Sequence, residues 1–406
     1  MTDTTVAPAP DAPAPGAAVR RTWQAPGELH PDDRREFGAM LRYCLDGTEG
    51  TDEGGIDLTS VPRIEFGAAD DAHADRVERL LGEAFKRFAG APQRTPRTRL
   101  DRWDLAVEPA PAAAPGPLGT TPADGRIGPG LFVSGPRNAL LIRTLERLLG
   151  QTAARLGAAE YTVPALLPWT TLEKAGYTGN FPQHITAAGV VRPDLDALDR
   201  FGAATDQATR AAELEFTPVA LAPATCLGLF ERFQGARLDE PLTVTATGQC
   251  SRYEGKAAAD TSPTRRWSFS MREIVYVGDR PGARAFHAQV LEELLTLAES
   301  LGLPCKVQPA SDPFFTSARP QMAQYQAAMD VKYELVGRMA HDGSEVAVSS
   351  LNYHNQHFGK GFDIAFAGQP GFSVCWAFGL ERWAEWLGGY LGDDPTGWPA
   401  RLREQC

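Results

Sequence analysis

The order of short β-rich segments and long amphipathic segments most restricts what this chain can fold into. Residues 137–156 and 283–301 carry apolar side chains at helical spacing, which predicts two long helices that each bury one side. Five short alternating or β-rich segments lie between and after them, at residues 218–222, 241–247, 274–278, 345–350 and 372–378. Because strands come in runs instead of alternating with helices, the sequence favours an α+β fold with a largely antiparallel sheet.

A proline-rich segment divides the 406 residues of the chain. Residues 107–124 hold five prolines among glycines and alanines, and such a composition cannot build a core. We therefore expect a small N-terminal α+β domain, a linker and a large second domain. Their bounds, with the two tails, are: a disordered Ala/Pro tail over 1–19, the small domain over 20–106, the linker over 107–125, the large domain over 126–395 and a C-terminal tail over 396–406.

Charge and hydropathy exclude several classes of protein. Forty basic and fifty-one acidic side chains give a net charge of −11, the wrong sign for a surface that binds nucleic acid along its whole length. The most apolar stretch, residues 372–380, is half the roughly 18 residues that a membrane helix needs. Six widely spaced cysteines do not form a disulfide framework. We expect a cytoplasmic protein with no membrane partner.

The stretch most informative about chemistry is residues 250–278. Arg252 and Glu254 form an R-x-E pair, and after a polar loop Arg265, Phe269 and Glu273 follow at intervals of four residues. The last of them leads into a predicted strand. The sequence holds neither a P-loop nor a glycine-rich dinucleotide motif, so a nucleotide would be bound by other means.

This stretch resembles motif 2 of the class II aminoacyl-tRNA synthetases. Residues 378–382, FGLER, open a predicted helix and resemble motif 3, while Pro164 after the long helix fits the motif 1 proline. The three motifs occur in the order of that family. The resemblance implies a class II synthetase-like antiparallel sheet flanked by helices, and a homodimer formed through motif 1.

The resemblance also implies that a carboxylate is activated with ATP. Guanidinium groups would then lie where negative charge develops on the phosphates, a task that suits their planar forks. Arg252 would bridge the amino-acid carboxylate and the α-phosphate, and Arg382 would hold the β- and γ-phosphates; both are the implied catalytic residues. The other implied ATP ligands are Arg265 or Arg266 at the phosphates, Glu254 and Phe269 at the adenine, Lys332, and Glu345 with Ser349 as a Mg²⁺-binding pair.

Two cysteines and one glutamate form a second constellation. If motifs 2 and 3 lie on neighbouring strands, Cys226, Glu273 and Cys375 could converge, although they are 47 and 102 residues apart. Two thiolates and a carboxylate fill three corners around Zn²⁺ and leave a fourth open, which is typical of a functional site. The alternative is that both cysteines are small buried apolar residues.

This pattern resembles the zinc site of atypical archaeal seryl-tRNA synthetases and, more closely, of the amino acid:[carrier protein] ligases. Residues 177–182 (YTGNFP), 332–334 (KYE) and 350–354 (SLNYH) also look like the ligases. The likeness implies adenylation of glycine or alanine, followed by transfer to the phosphopantetheine thiol of a small carrier protein. Asn352 would then bind the amino acid together with the three zinc ligands.

Two other functions remain open from the sequence. A seryl-type enzyme would charge tRNA, but the chain shows no pair of long N-terminal helices to hold it, so tRNA is the less favoured acceptor. A catalytically silent paralogue would act as a binding or regulatory subunit. We further expect the polar, helix-prone residues 194–213 to dock the carrier or cover a tunnel, with an ordinary surface helix as the alternative.

Overall fold

The computed structural model describes residues 19–29, 55–86, 98–110, 124–253, 262–310 and 332–406, with single positions between 34 and 48. The chain forms two compact units, residues 1–93 and 94–406. The expected boundary at residue 106 is therefore too late, because residues 100 and 101 pair with Val307 and Lys306 in the sheet of the large unit. The N-terminal tail over 1–18, most of the predicted linker and Glu254 lie outside the described residues.

The small unit is a three-stranded antiparallel sheet with a helix. Its elements are β1 (Val19–Gln24), β2 (Ile56–Asp57), β3 (Arg63–Ala68) and α1 (Asp71–Lys86), in the sheet order β1-β3-β2. Helix α1 buries one apolar side that includes Val77, Leu81 and Phe85. The rings of Trp23, Phe37 and Phe85 lie 6.0–6.3 Å apart between their centroids and form the centre of this unit's core.

The large unit contains the two predicted long helices and all of the predicted strands. Its first elements are β4 (Leu100–Asp101), β5 (Asp124–Gly128), β6 (Leu131–Ser134), α2 (Pro136–Arg155), β7 (Ala159–Thr162), β8 (Leu166–Pro168), α3 (Trp169–Lys174), α4 (Tyr177–Asn180), β9 (Ala187–Val191), α5 (Leu195–Ala203), α6 (Gln207–Ala212), β10 (Leu214–Leu221) and α7 (Thr225–Arg232). Then follow β11 (Arg237–Leu238), β12 (Leu242–Ser251), β13 (Ser268–Gly278), α8 (Arg280–Leu301), β14 (Cys305–Pro309), β15 (Lys332–Arg338), β16 (Glu345–Asn355), α9 (His357–Gly361), β17 (Ala365–Phe366), β18 (Gln369–Pro370), β19 (Phe372–Gly379), α10 (Leu380–Leu391) and α11 (Ala400–Arg403).

An eight-stranded sheet organises the large unit, in the order β4-β14-β15-β16-β19-β13-β12-β7. Every neighbouring pair is antiparallel except β12 with β7, which is parallel. The predicted α+β class with a largely antiparallel sheet is confirmed. The one predicted strand that falls elsewhere is residues 218–222, which belongs to a separate three-stranded sheet of the order β8-β10-β9.

The two faces of the large sheet are covered differently. Side chains alternate between the faces of a strand, so Val374, Trp376 and Phe378 of β19 point to one side while Ser373 and Cys375 point to the other. The first side, here called the helix face, packs on α2, α8 and α10 to form the main core. The second side, here called the site face, is covered by α7 and α9. No described helix has both the length and the apolar composition needed to cross a membrane.

Candidate functional site

Strand register places Glu273 and Cys375 beside each other on the site face. Glu273 of β13 pairs with Ala377 of β19, and Cys375, two residues earlier on β19, pairs with Val275. The two side chains are therefore diagonal neighbours on adjacent strands, close enough for a carboxylate and a thiol to meet. The structure confirms the contact, since the Cys375 Sγ lies 2.5 Å from Glu273 Oε2.

Cys226 reaches the same point from the first turn of α7. The first backbone N–H groups of a helix have no partner within the helix. Here Glu273 supplies one, because its Oε1 accepts from the backbone N of Thr225 at 2.8 Å and of Cys226 at 3.1 Å. The carboxylate thus fixes the start of α7 with one oxygen and faces Cys375 with the other. The ligand atoms of Cys226, Glu273 and Cys375 all lie within 4.8 Å of one another.

The electrostatics of these three groups favour a bound cation. Burial raises the pKa of Cys375 well above its ordinary value, and the neighbouring Cys226 and Glu273 raise it further. A hydrogen bond with Cys375 acts to lower the pKa of Cys226, but burial and the charge of Glu273 outweigh it, so that this pKa is also raised. Ionised together, the groups would repel each other, and a dication would balance them. All three side chains are buried and supply two sulfurs and one oxygen, so they fit Zn²⁺ with a fourth position open.

The structure brings Arg252 and Phe269 together at one end of the site face. Arg252 follows β12, its Nε donates to the carbonyl of Pro223 at 2.8 Å, and its guanidinium carbon lies 5.5 Å from the centroid of the Phe269 ring. Pro223 is three residues before Cys226. The predicted carboxylate-binding arginine, the predicted adenine-stacking ring and the predicted zinc ligands therefore share one region of the sheet.

Arg382 lies at the start of α10 and binds two backbone carbonyls. Its Nε donates to Thr264 of the motif 2 loop at 2.9 Å and its Nη1 donates to Ala347 of β16 at 3.2 Å. Because Met271 pairs with Gly379, β13 begins at the end of the sheet where β19 runs into α10. Arg382 is therefore at the same end of the sheet as Phe269.

The two arginines predicted as alternatives at the phosphates differ in their burial. Arg266 is buried, and its Nη2 is 2.9 Å from Glu385 Oε1 while its Nη1 donates to Ser134 Oγ at 3.2 Å. Its guanidinium also lies over the ring of Phe132. These contacts give Arg266 a fixed structural position, whereas Arg265 is half-exposed in the loop.

A polar row continues across the site face from Cys375. Asn352 of β16 pairs with Cys375 and with Lys332 of β15, which places both predicted residues on the face that carries the predicted zinc ligands. Asn352 Nδ2 donates to Ser350 Oγ at 2.9 Å, and Lys332 Nζ lies 3.3 Å from Glu334 Oε1, with both members of this ion pair buried. Glu334 and Ser350 were not among the predicted site residues, although period-two alternation around Lys332 and Asn352 could have indicated them.

The structure does not bring the predicted Mg²⁺ pair together. Ser349 Oγ donates to the carbonyl of Ala377 at 2.8 Å and accepts from Trp376 Nε1 at 3.0 Å, and it pairs with Phe378, so that it lies on the helix face. Glu345 is exposed and pairs with Lys306 Nζ at 3.1 Å. At about 3.3 Å per residue the two are ~13 Å apart along β16, too far to share one ion. An irregularity in the pairing of β15 with β16 at this point shifts the register by one residue, which sequence spacing alone does not show.

Thr225 supports Glu273, one of the predicted zinc ligands, and was missed by sequence reasoning. Its Oγ1 donates to the carbonyl of Met271 at 2.8 Å and lies 3.5 Å from Cys250 Sγ. Burial raises the pKa of Cys250 to about 12, so this thiol stays neutral. A threonine just before a cysteine carries no distinctive signal, because the backbone N–H that it offers to Glu273 is common to all residues except proline.

Comparison with known proteins gives two groups of relatives. No family model matches the chain. It is 30% identical over 277 residues to "Amino acid–[acyl-carrier-protein] ligase 1" of Bradyrhizobium diazoefficiens, a match that covers 66% of this chain and 83% of the relative. It is 25% identical over 302 residues to a "Type-2 serine–tRNA ligase" of Methanopyrus kandleri, covering 68% of this chain and 56% of that protein. The chain thus spans about half the length of such serine–tRNA ligases.

A solved structure supports the fold. The M. kandleri seryl-tRNA synthetase, crystallised with the selenocysteine tRNA of A. aeolicus, superposes with a TM-score of 0.61 at 22% identity, and the match covers 89% of this chain and 74% of that one. At this level of identity, the match establishes the class II synthetase architecture.

Proposed function

The chain belongs to the amino acid–[acyl-carrier-protein] ligase family, and we propose that it adenylates glycine or alanine with ATP and transfers it to the phosphopantetheine thiol of a small carrier protein. The observation that carries the proposal is the convergence of Cys226, Glu273 and Cys375 beside the contact between Arg252 and Phe269. This site can hold an α-amino group next to a carboxylate-binding arginine.

Adenylation needs positive charge at the α-phosphate and a platform for the adenine. The amino-acid carboxylate attacks the α-phosphorus, a P–O bond forms, and pyrophosphate leaves with the electron pair of the bond that breaks. Arg252 would lie between the carboxylate and the α-phosphate, and Phe269 beneath the adenine. Arg382 and Arg265 would bind the leaving phosphates, with Mg²⁺ accompanying ATP.

The three zinc ligands would orient the amino acid. Cys226, Glu273 and Cys375 would hold Zn²⁺, which would supply a Lewis acid for the α-amino group. The backbone N–H groups of Thr225 and Cys226 hold Glu273 Oε1 in place. The fold thereby fixes the orientation of the Glu273 carboxylate towards the metal position. Asn352, in register with Cys375, would contact the amino acid from the next strand.

Transfer to a thiol follows from the same intermediate. The phosphopantetheine sulfur attacks the carbonyl carbon of the aminoacyl adenylate and loses its proton to solvent. A C–S bond forms, the C–O bond to phosphate breaks, and AMP leaves with that electron pair.

Exposed apolar side chains on the segment that leads to Cys226 support a protein acceptor. The docking surface that they form consists of β9, α5, α6 and the start of β10, and its exposed residues include Leu195 at 79% and Phe216 at 84% of full exposure, with Val190, Leu198 and Leu214. Apolar clusters of this kind on a polar segment mark protein contacts. Since β10 continues through Pro223 into the helix that carries Cys226, we propose that the carrier docks here and delivers its arm to the site.

Two assays test the proposal. We expect exchange of labelled pyrophosphate into ATP that depends on glycine or alanine, and mass spectrometry should show the added amino acid on a phosphopantetheinylated carrier. Loading of tRNA instead would support the seryl-type function, and absence of exchange with all twenty amino acids would indicate a silent paralogue. Light scattering would test the homodimer expected through motif 1.

The docking surface has its own test. The double substitution of Leu195→Ser and Phe216→Ser should raise the KM for the carrier about tenfold or more and spare pyrophosphate exchange. Ile127→Ser, at an apolar residue that is 73% exposed outside this surface, is the matched control. Equal effects of both variants would argue against docking at residues 187–216.

A further inference from the structure

A buried amide lies in the turn just before the docking surface. Gln183 is the middle residue of a single 3-10 turn, Pro182–His184. Both its Nε2 and its Oε1 are buried, and neither has a hydrogen-bond partner among the residues that the structure describes. Buried amides are almost always paired, so this one fits a ligand that offers an acceptor and a donor together.

The turn is held in a fixed position against the motif 2 strands. The carbonyl of His184 accepts from the backbone N of Tyr253 at 3.1 Å, and Thr186 Oγ1 accepts from Trp267 Nε1 at 2.9 Å. Tyr253 directly follows Arg252. On its other side, the His184 ring lies 3.2 Å from the Tyr177 hydroxyl and stacks on Phe181. Gln183 is therefore presented by a well-supported turn, not by a free loop.

The same segment connects the site to the docking surface. The carbonyl of Thr186 accepts from the backbone N of Leu221 at 2.9 Å, and β9 begins at the next residue. Residues 182–186 thus lie between the end of the sheet that carries Arg252 and the strands that carry Phe216. An arm that extended from the proposed docking surface to an adenylate beside Arg252 would pass this turn.

We propose that Gln183 forms two hydrogen bonds with an amide of the phosphopantetheine arm, with its Nε2 donating to the amide carbonyl and its Oε1 accepting from the amide N–H. The inference rests on the proposed function. The arm is neutral at its amides and presents one donor and one acceptor at each, which matches a glutamine side chain. The amino-acid carboxylate, the phosphates of ATP and the phosphate of the adenylate are anionic and would be matched by the arginines instead.

Three thiols of increasing length test the proposal directly. 2-Mercaptoethanol has no amide, N-acetylcysteamine has the amide nearest the thiol, and pantetheine has both. For the wild-type chain and for Gln183→Met, a substitution of similar shape that cannot pair, the rate of thioester formation is measured with each thiol. We expect the ratio of the pantetheine rate to the 2-mercaptoethanol rate to fall about tenfold in the variant. If the wild type is already faster than the variant with N-acetylcysteamine, Gln183 binds the amide nearest the thiol. If the difference appears only with pantetheine, Gln183 binds the second amide.

The ratio of the pantetheine rate to the 2-mercaptoethanol rate distinguishes binding of the arm from a role in adenylation or in folding. Gln249→Met, at an exposed glutamine on β12, is the matched control and should leave the ratio unchanged. An unchanged ratio in Gln183→Met overturns the inference alone if the wild type still loads pantetheine. Equal losses with all three thiols, or a higher KM for ATP or the amino acid in pyrophosphate exchange, would assign Gln183 to the adenylate and also overturn it. A wild type that transfers to no thiol overturns the proposed function itself.

Discussion

The two faces of the large sheet use the same strands for different purposes. On the helix face, Trp376, Phe378 and Leu351 are fully buried in the main core. On the site face, their immediate neighbours Cys375 and Asn352 lie with Glu273 in the candidate site. Because side chains alternate along a strand, a residue that stabilises the core is followed directly by one that lies in the candidate site. Substitutions at adjacent positions should therefore have different kinds of effect.

The helix face and the site face also differ in how their buried charged groups are balanced. The helix face also holds a buried charge, Arg272, whose Nη2 lies 3.0 Å from Glu146 and 2.8 Å from Glu160. Burial acts to lower the pKa of Arg272, but the two carboxylates outweigh it and raise the pKa. On the site face, two thiols and a carboxylate lie together and a cation would balance them. A buried cluster of potential anionic ligands, such as Cys226, Glu273 and Cys375, is the arrangement that indicates a bound cation.

The largest expected effect comes from a pair of buried cysteines on opposite faces. Cys375→Ala removes a proposed zinc ligand and should lower bound zinc and amino-acid-dependent pyrophosphate exchange by about 100-fold or more. Cys305→Ala, at a buried thiol of the helix-face core, should cost only about 1 kcal/mol of stability. Metal analysis and pyrophosphate exchange assays are carried out on both variants, and urea denaturation measures their stability. Full zinc content in Cys375→Ala would remove this cysteine from the site.

Neighbouring residues on β16 give the next contrast. Leu351→Ala opens a cavity in the core and should lower the free energy of unfolding by ~2–5 kcal/mol, measured by urea denaturation. Asn352→Ala should change stability by less than about 1 kcal/mol and raise the KM for the amino acid in pyrophosphate exchange about tenfold. A stability loss of similar size in both variants would contradict the separation of the two faces.

Ser349 and its neighbour Ser350 on β16 test the assignment of Ser349 to the helix face. Ser349→Ala leaves the buried indole N–H of Trp376 without its acceptor and should cost ~1–3 kcal/mol of stability. Because Ser349 lies on the helix face, the Mg²⁺ concentration that half-saturates exchange should stay the same. Ser350→Ala, on the site face, is the matched control for stability. A large shift in the Mg²⁺ requirement of Ser349→Ala would restore the original prediction.

Much of the sheet, and the convergence of the three predicted zinc ligands, could be predicted from sequence, since both depend on regular periodicities. Helical spacing located α2 and α8 within three residues at each end. The order of the synthetase-like motifs, together with pairing of β13 and β19, was enough to bring Cys226, Glu273 and Cys375 together.

The remaining features depend on single-residue irregularities that leave no pattern. One extra residue in a strand reverses the face of every later side chain, which is why sequence spacing did not show that Ser349 lies on the helix face. Sequence did not distinguish Arg265 from Arg266, because their difference lies in the distant partners Glu385 and Ser134. The unit boundary was placed late because a two-residue strand, Leu100–Asp101, has no periodicity to detect.

The smallest expected effect concerns the proposed docking surface. There, ion pairs of the Glu213 carboxylate hold the segment in place, whereas apolar packing does so on the helix face. Glu213 accepts hydrogen bonds from Arg200 and Arg192, and these lower its pKa from 4.5 to about 2. A lowered folded-state pKa stabilises the fold above the ordinary value, and this contribution is lost as the pH falls from about 4.5 towards 2. Pepsin should therefore cleave within residues 187–216 faster as the pH falls, and Glu213→Gln should be cleaved quickly at every pH. Equal pH dependence in variant and wild type would show that other contacts hold this surface.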